Sequence, residues 1–113
     1  MTIFEQLNLF LIGRERNLYI RNEDLTLYVR NSMRRLERQL IPCLDIARIE
    51  VEDRMQNRGV FTKFMKTLIE THPDVNIFVE CIHNPIVIHI LEKFDFKKIG
   101  TELDVHMYKL KQY

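Results

Sequence analysis

The stretch from Ile46 to Met65, IARIEVEDRMQNRGVFTKFM, constrains the fold more than any other part of the sequence. A β-forming run enters it, a polar segment turns over Gly59, and a run with apolar residues at helical spacing leaves it. Such a strand–turn–helix leaves backbone N–H groups unpaired at the helix start, where the helix dipole adds partial positive charge. The pattern therefore predicts a turn that binds an anion, such as a phosphate group.

Length and composition indicate one globular domain over residues 1–113, with 46% hydrophobic residues to build its core. The formal net charge of +1 argues against a nucleic-acid partner and against a membrane surface. No apolar run reaches spanning length and no leader is apparent, so we expect a cytoplasmic protein without a membrane partner. Cys43 and Cys81 each lie in an apolar run, and we expect both thiols to be buried in a reducing compartment.

The rest of the sequence predicts a mixed α/β sheet around this turn. The predicted elements are a helix at 2–12, strands at 18–20, 25–29 and 40–51, a helix from 60 to before Pro73, a strand at 75–82, a helix starting at 84 and a closing hairpin within 96–110. The arginine-rich segment 31–39 fits either an exposed hairpin or a short amphipathic helix. The central strand–helix–strand unit requires a parallel pair of strands.

Three motifs in this order carry a resemblance to a known family. They are QNRGVF at 56–61, a strand that ends in Asn at 80–84, and LEKFDF at 91–96. With them, residues 25–108 resemble the GNAT superfamily of acyl-CoA N-acyltransferases, as a small member of the phage or prophage type. The sequence departs from the family at Phe61, where the family has Gly or Ala, and at Leu91, where many members have a Tyr that acts as an acid.

The resemblance implies a single GNAT-like acyl-CoA-binding domain that uses acetyl-CoA as co-substrate. Family members hold the diphosphate at the turn and the pantetheine arm between two strands that splay apart. The residues to which the resemblance assigns acetyl-CoA binding are Ile49, Val51, Gln56, Asn57, Arg58, Gly59, Val60, Phe61, Thr62 and Asn84. Either the ring of Phe61 turns into the core and leaves its amide available, or it narrows the cleft.

Acetyl transfer to an amine needs a base for the ammonium proton and often an acid for the thiolate. The candidates for the base are Asp45, Glu50 and Glu80, and each is equally well interpreted as a structural polar or ion-paired strand residue. The position of the family's acidic Tyr holds Leu91, so Tyr108 is the substitute that the sequence offers.

Two functions follow from the resemblance. One is an N-acetyltransferase that acts on an amine of a small molecule or a protein; the other is a catalytically inactive GNAT-like module that engages a partner protein, for example of a host. The N-terminal region is expected to be truncated relative to the family, so the acceptor groove is either shallow or completed by another chain, for example a second copy in a homodimer. The basic run of Arg30, Arg34, Arg35 and Arg38 is predicted to be a solvated face.

Overall fold

The computed structural model of the protein describes residues 2–13, 15–52 and 58–111. Within these ranges it contains three helices and six strands, close to the predicted order. Their bounds are α1 Ile3–Ile12, β1 Asn17–Arg21, β2 Leu25–Leu36, β3 Gln39–Val51, α2 Val60–Thr71, β4 Ile77–Ile82, α3 Pro85–Lys93, β5 Lys97–Gly100 and β6 Val105–Lys109.

The six strands form one sheet in the order β1-β2-β3-β4-β6-β5. The pair β3–β4 is parallel and the other four pairs are antiparallel. The crossover through α2 explains the parallel pair, because two parallel neighbours need a long connection. The prediction of a mixed α/β sheet with a central βαβ unit is confirmed.

The segment 31–39, which the sequence left open, is a hairpin. Strand β2 continues to Leu36, and the turn residues Glu37 and Arg38 have φ angles of 49° and 67°. Positive φ at both central residues of a two-residue turn matches the right-handed twist of the flanking strands. The amphipathic-helix alternative is therefore wrong.

Strand β4 begins at Ile77, two residues after the predicted start. The preceding residue, Asn76, uses its side chain to hydrogen-bond two neighbouring backbone segments. The Asn76 Nδ2 donates to the Pro42 carbonyl at 3.0 Å, and its Oδ1 accepts from the Lys111 amide at 2.7 Å. These bonds satisfy a buried amide side chain and join β3 to the segment after β6.

All three helices pack on one face of the sheet and build the main core there. Phe10 of α1, Leu68 of α2 and Leu91 of α3 belong to this core, and the rings of Phe4 and Phe64 stack between α1 and α2 at 5.6 Å. The opposite face, called the open face below, carries a small apolar cluster and no helix from the described part of the chain. Its members are Leu36, Cys43, Phe78 and Tyr108.

The two cysteines differ in exposure, so the expectation of two buried thiols is wrong for Cys81. Cys43 is buried, and burial followed by the nearby Asp45 carboxylate raises the pKa of its thiol to about 11. Cys81 is exposed, because the β4–β6 ladder is irregular between Val79 and Ile82 and Cys81 has a φ of 48°. The irregularity interrupts the side-chain alternation that would otherwise place Cys81 against the main core.

Gly100 is the glycine whose replacement we expect to be most damaging. It has a φ of 103°, and a Cβ there would lie 2.3 Å from the Asp104 carbonyl oxygen. We expect Gly100→Ala to lower the free energy of unfolding by about 2 kcal/mol, measured by urea denaturation. Gly59→Ala is the matched control, because it shares the positive φ but a Cβ there meets nothing within 4 Å. An equal loss in both variants would contradict the steric explanation.

Candidate functional site

Strands β3 and β4 form a fork. They pair only from Leu44 opposite Ile77 to Ile46 opposite Val79. Beyond this point β3 continues to Val51 and β4 to Ile82 without pairing to each other. We call residues 47–51 and 80–82 the two prongs of the fork. Both prongs end at the carboxyl ends of the parallel strands, which is also the end of the sheet where α2 begins.

Each prong starts at an irregularity of the sheet. In the β2–β3 ladder the register shifts between Tyr28 and Val29, which leaves Ala47 as an extra residue on β3. In the β4–β6 ladder the register shifts between Val79 and Ile82. A bulge bends its strand and increases the local twist, so each prong bends where the β3–β4 pairing stops.

The start of α2 lies at the mouth of the fork and has unused amides. Gly59 precedes the helix in the left-handed conformation, with φ 74° and ψ 16°, and no side chain caps this end. The first helical bond runs from the Lys63 amide to the Gly59 carbonyl at 2.9 Å. Within the described ranges no acceptor is present for the amides of Val60, Phe61 and Thr62. This end of the helix therefore suits an anion.

The residues predicted to bind acetyl-CoA are placed around this mouth as far as the structure describes them. Arg58, Gly59 and Thr62 are exposed, and Val60 and Phe61 are half-buried against the main core. The Phe61 side chain therefore packs on the core, which is the first of the two predicted alternatives. Gln56 and Asn57 lie outside the described residues.

The remaining predicted contacts are on β3 and α3. Ile49 and Val51 are half-buried residues of the β3 prong. Asn84 is exposed at the start of α3, where its Oδ1 accepts from the Ile86 amide at 2.9 Å. As the helix cap, Asn84 has a structural role that the sequence predicted.

A cluster of four charged side chains occupies the open face at the base of the fork. We call Asp45, Glu80, Arg30 and Arg34 the ionic cluster. Arg34 Nη2 donates to Asp45 Oδ2 at 2.5 Å and lies 3.0 Å from Glu80 Oε1. Arg30 pairs with Glu80 and lies 3.6 Å from Asp45 Oδ2. The two arginines of β2 thus pair with one carboxylate on β3 and one on β4.

The two carboxyl groups of the ionic cluster differ in exposure. The side chain of Asp45 is fully buried, and the Ser32 hydroxyl also donates to its Oδ2 at 3.2 Å. The side chain of Glu80 is 16% exposed and follows the last β3–β4 pair. Glu80 is therefore the carboxylate of the cluster that a ligand in the fork can reach.

The two carboxyl groups also differ in proton affinity. Burial raises the pKa of Asp45 above its ordinary 3.8. The hydrogen bond with Arg34 lowers this pKa and the Glu80 carboxylate raises it, and the net direction is upward. Burial alone would also raise the pKa of Glu80, but hydrogen bonds with Asp45 and Arg30 outweigh burial and lower it below 4.5. Glu80 thus stays ionised, and Asp45 is the first of the pair to take up a proton. Asp45 Oδ1 has no hydrogen-bond partner among the described residues, and a proton on it would be a donor for which the Glu80 carboxylate is the acceptor.

The other candidates for proton transfer are engaged elsewhere. Glu50 is exposed and accepts from Arg48 Nε on its own strand at 2.8 Å. Leu91, which stands where the resemblance places an acidic Tyr, has no ionisable group and is fully buried in the main core. The Tyr108 hydroxyl donates to Glu37 at 3.1 Å, and burial raises its pKa.

The prediction of a solvated basic face is wrong for Arg30 and Arg34. Their side chains are 40% and 30% exposed and pair with Asp45 and Glu80. The sequence contained the signal: on a strand, residues 30, 32 and 34 project from the same face. The signal was usable only once 31–39 was known to be a strand. Arg35 and Arg38 are exposed, as predicted.

Two solved structures share the fold at low sequence identity. One is a mutant of the AtaT toxin bound to the C-terminus of the antitoxin AtaR and acetyl-CoA, with a TM-score of 0.53, 15% identity and coverage of 76% of this chain. The other is the KacTA–DNA complex, with a TM-score of 0.54, 16% identity and coverage of 93% of this chain and 79% of the matched one. The protein has a GNAT-like fold.

The likeness at these identities establishes the fold alone. This chain spans 57% of the length of the AtaT chain. No protein-family model and no curated protein matches the sequence. Among the described residues there is no helix long and apolar enough to cross a membrane. Nor does that part of the chain bring together three His, Cys, Asp or Glu side chains that could hold a metal ion.

Proposed function

We propose that the protein is an acetyl-CoA-dependent N-acetyltransferase that transfers an acetyl group to an amine of a small molecule or a protein. The fork that opens towards the uncapped start of α2 carries this proposal. Separated strand edges offer main-chain partners to an extended amide chain such as pantetheine, and the helix start offers donors to a diphosphate. The acetyl-CoA bound to the AtaT neighbour supports the choice of ligand.

The amides of residues 58–62 would bind the diphosphate, with Arg58 adding positive charge. The main chain near Ile49 and Val51 would bind the pantetheine arm along the β3 prong. Gln56, Asn57 and Asn84 complete the proposed binding residues. The acetyl group would then lie at the base of the fork, beside Glu80.

The acceptor amine would approach from the open face. Glu80 is the proposed base: its ionised carboxylate takes a proton from the ammonium group, directly or through a water molecule. The neutral nitrogen attacks the thioester carbon and gives up its second proton to solvent as the amide forms. The C–S bond breaks, and coenzyme A leaves as a thiolate that takes a proton from solvent. Asp45 is sealed from solvent and acts through its contact with Glu80.

The alternative is a catalytically inactive module that binds a partner protein or a second copy in a homodimer. The core position of Leu91 favours it, since no acid stands where many family members have one. The open face, on which the described chain places no helix, is the surface that such a partner would cover. Release of coenzyme A thiol from acetyl-CoA, dependent on an added amine, would exclude this alternative.

The binding part of the proposal is tested at Gly59. We expect the wild-type protein to bind acetyl-CoA in isothermal titration calorimetry. Gly59→Asp should weaken this binding at least about tenfold, because a carboxylate would face the diphosphate. Gly59→Asn is the matched control: it has nearly the same shape, tolerates positive φ and adds no charge. Equal affinities of the two variants would remove the turn from the binding site.

A further inference from the structure

The side chain of His106 on β6 accepts a hydrogen bond from a backbone amide of β4, in the place where a regular sheet would offer a backbone carbonyl. Its Nδ1 accepts from the amide of Cys81 on β4 at 3.1 Å. The imidazole is stacked on the ring of Phe78, with 5.5 Å between centroids and 26° between planes. Its Cδ2 lies 3.2 Å from where a Cβ on Gly100 would be. The ring is therefore held by two contacts on β4 and lies close to the backbone of β5.

The acceptor matters because the Cys81 backbone is in an unfavourable conformation. Cys81 has a φ of 48°, a region that residues other than glycine rarely occupy. The β4–β6 register skips from Val79 to Ile82 at this point. The hydrogen bond from the Cys81 amide to His106 offsets the cost of this bulge, since its loss would leave the backbone strain without the bond that compensates it.

The bulge at Cys81 sets which way the side chains of the β4 prong point. Val79 and Ile82 both lie in the main core, while Glu80 lies in the ionic cluster on the open face. In a regular strand residues 80 and 82 would project from the same face. The bulge is therefore what allows Glu80 and Ile82 to face opposite sides, and it lies where β4 leaves β3.

We propose that His106 is the positioning residue of the fork. Through Nδ1 it fixes the bulge at Cys81, and through this bulge it fixes the direction of the β4 prong and the orientation of Glu80. The consequence of this role for acetyl-CoA binding rests on the proposed function. The geometry of the bulge itself does not depend on that function.

Two substitutions separate the acceptor of His106 from its packing. His106→Asn keeps an acceptor on the branch where Nδ1 stands and loses most of the ring, whereas His106→Phe keeps the ring and loses the acceptor. We expect the Asn variant to bind acetyl-CoA within about threefold of wild type and the Phe variant to bind about tenfold more weakly. A role in packing alone predicts the reverse order, and that order would overturn the proposal.

A second measurement does not require the ligand. Amide hydrogen exchange at Cys81, followed by NMR on the free protein, should be about tenfold faster in His106→Phe than in wild type or His106→Asn. If wild type fails to bind acetyl-CoA, the proposed function fails while the exchange rates still test His106. Unchanged exchange in the Phe variant would overturn the role of His106.

A double variant covers the case in which His106→Phe does not fold. Glycine adopts positive φ without strain, so Cys81→Gly should keep the bulge without help from His106. We expect the Cys81→Gly/His106→Phe protein to fold and to regain the affinity of wild type within about threefold. A double variant that folds and still binds tenfold more weakly would contradict the proposed coupling.

Discussion

Truncation of Asp45 to Ala is expected to lower the free energy of unfolding by about 3 kcal/mol, at the lower end of the range for breaking a buried ion pair. Asp45 is fully buried, and its Oδ2 accepts from both Arg34 and Ser32. Its loss removes the acceptor that these two donors share in a partly buried site. The cost stays at the lower end because Arg34 keeps its contact with Glu80 Oε1 at 3.0 Å. Urea denaturation measures the change.

Glu50→Ala is the matched control for this loss of stability. It removes a carboxylate from the same strand, but its pair with Arg48 is exposed and should contribute at most about 1 kcal/mol. Asp45→Leu combined with Arg34→Met replaces the buried pair by apolar side chains and should recover much of the stability. A loss below about 1 kcal/mol in Asp45→Ala would show that the ionic cluster does not hold β2 and β3 together.

Replacement of Glu80 by Gln is expected to lower kcat for amine acetylation by about 10²–10⁴-fold, the usual contribution of a general base. Gln keeps the shape of the side chain and can still accept from Arg30 and Arg34, but it cannot take a proton. The KM for acetyl-CoA should change little, because the proposed cofactor contacts lie on β3 and at the start of α2. Steady-state assay of free thiol measures both constants.

The pH profile adds a check on this assignment. The pKa of Glu80 lies below 4.5, so the acid limb of kcat/KM that reports this group should lie below pH 4.5 and vanish in Glu80→Gln. Glu50→Gln provides the comparison, since Glu50 was an equal candidate in the sequence. Wild-type turnover in Glu80→Gln together with a severe loss in Glu50→Gln would transfer the role of base to Glu50.

Local patterns in the sequence predicted most of the fold. Apolar spacing marked α2, Pro73 marked its end, and Asn84 with Pro85 marked the start of α3. These signals act over a few residues, because capping bonds and backbone restrictions involve near neighbours. The segment 31–39 could not be decided locally, since what makes it a strand is its pairing with 39–44 and the side chains that it presents to Asp45 and Glu80.

The sequence by itself determined the order of the elements, the parallel pair and the open helix start after Gly59. Only the tertiary structure decided that Arg30 and Arg34 pair with the two carboxyl groups and that Cys81 is exposed. It also decided that His106 takes the place of a carbonyl beside the fork. Backbone preferences and periodicity are properties of neighbouring residues, whereas the ionic cluster and the bulge depend on strands from distant parts of the chain coming together in one register.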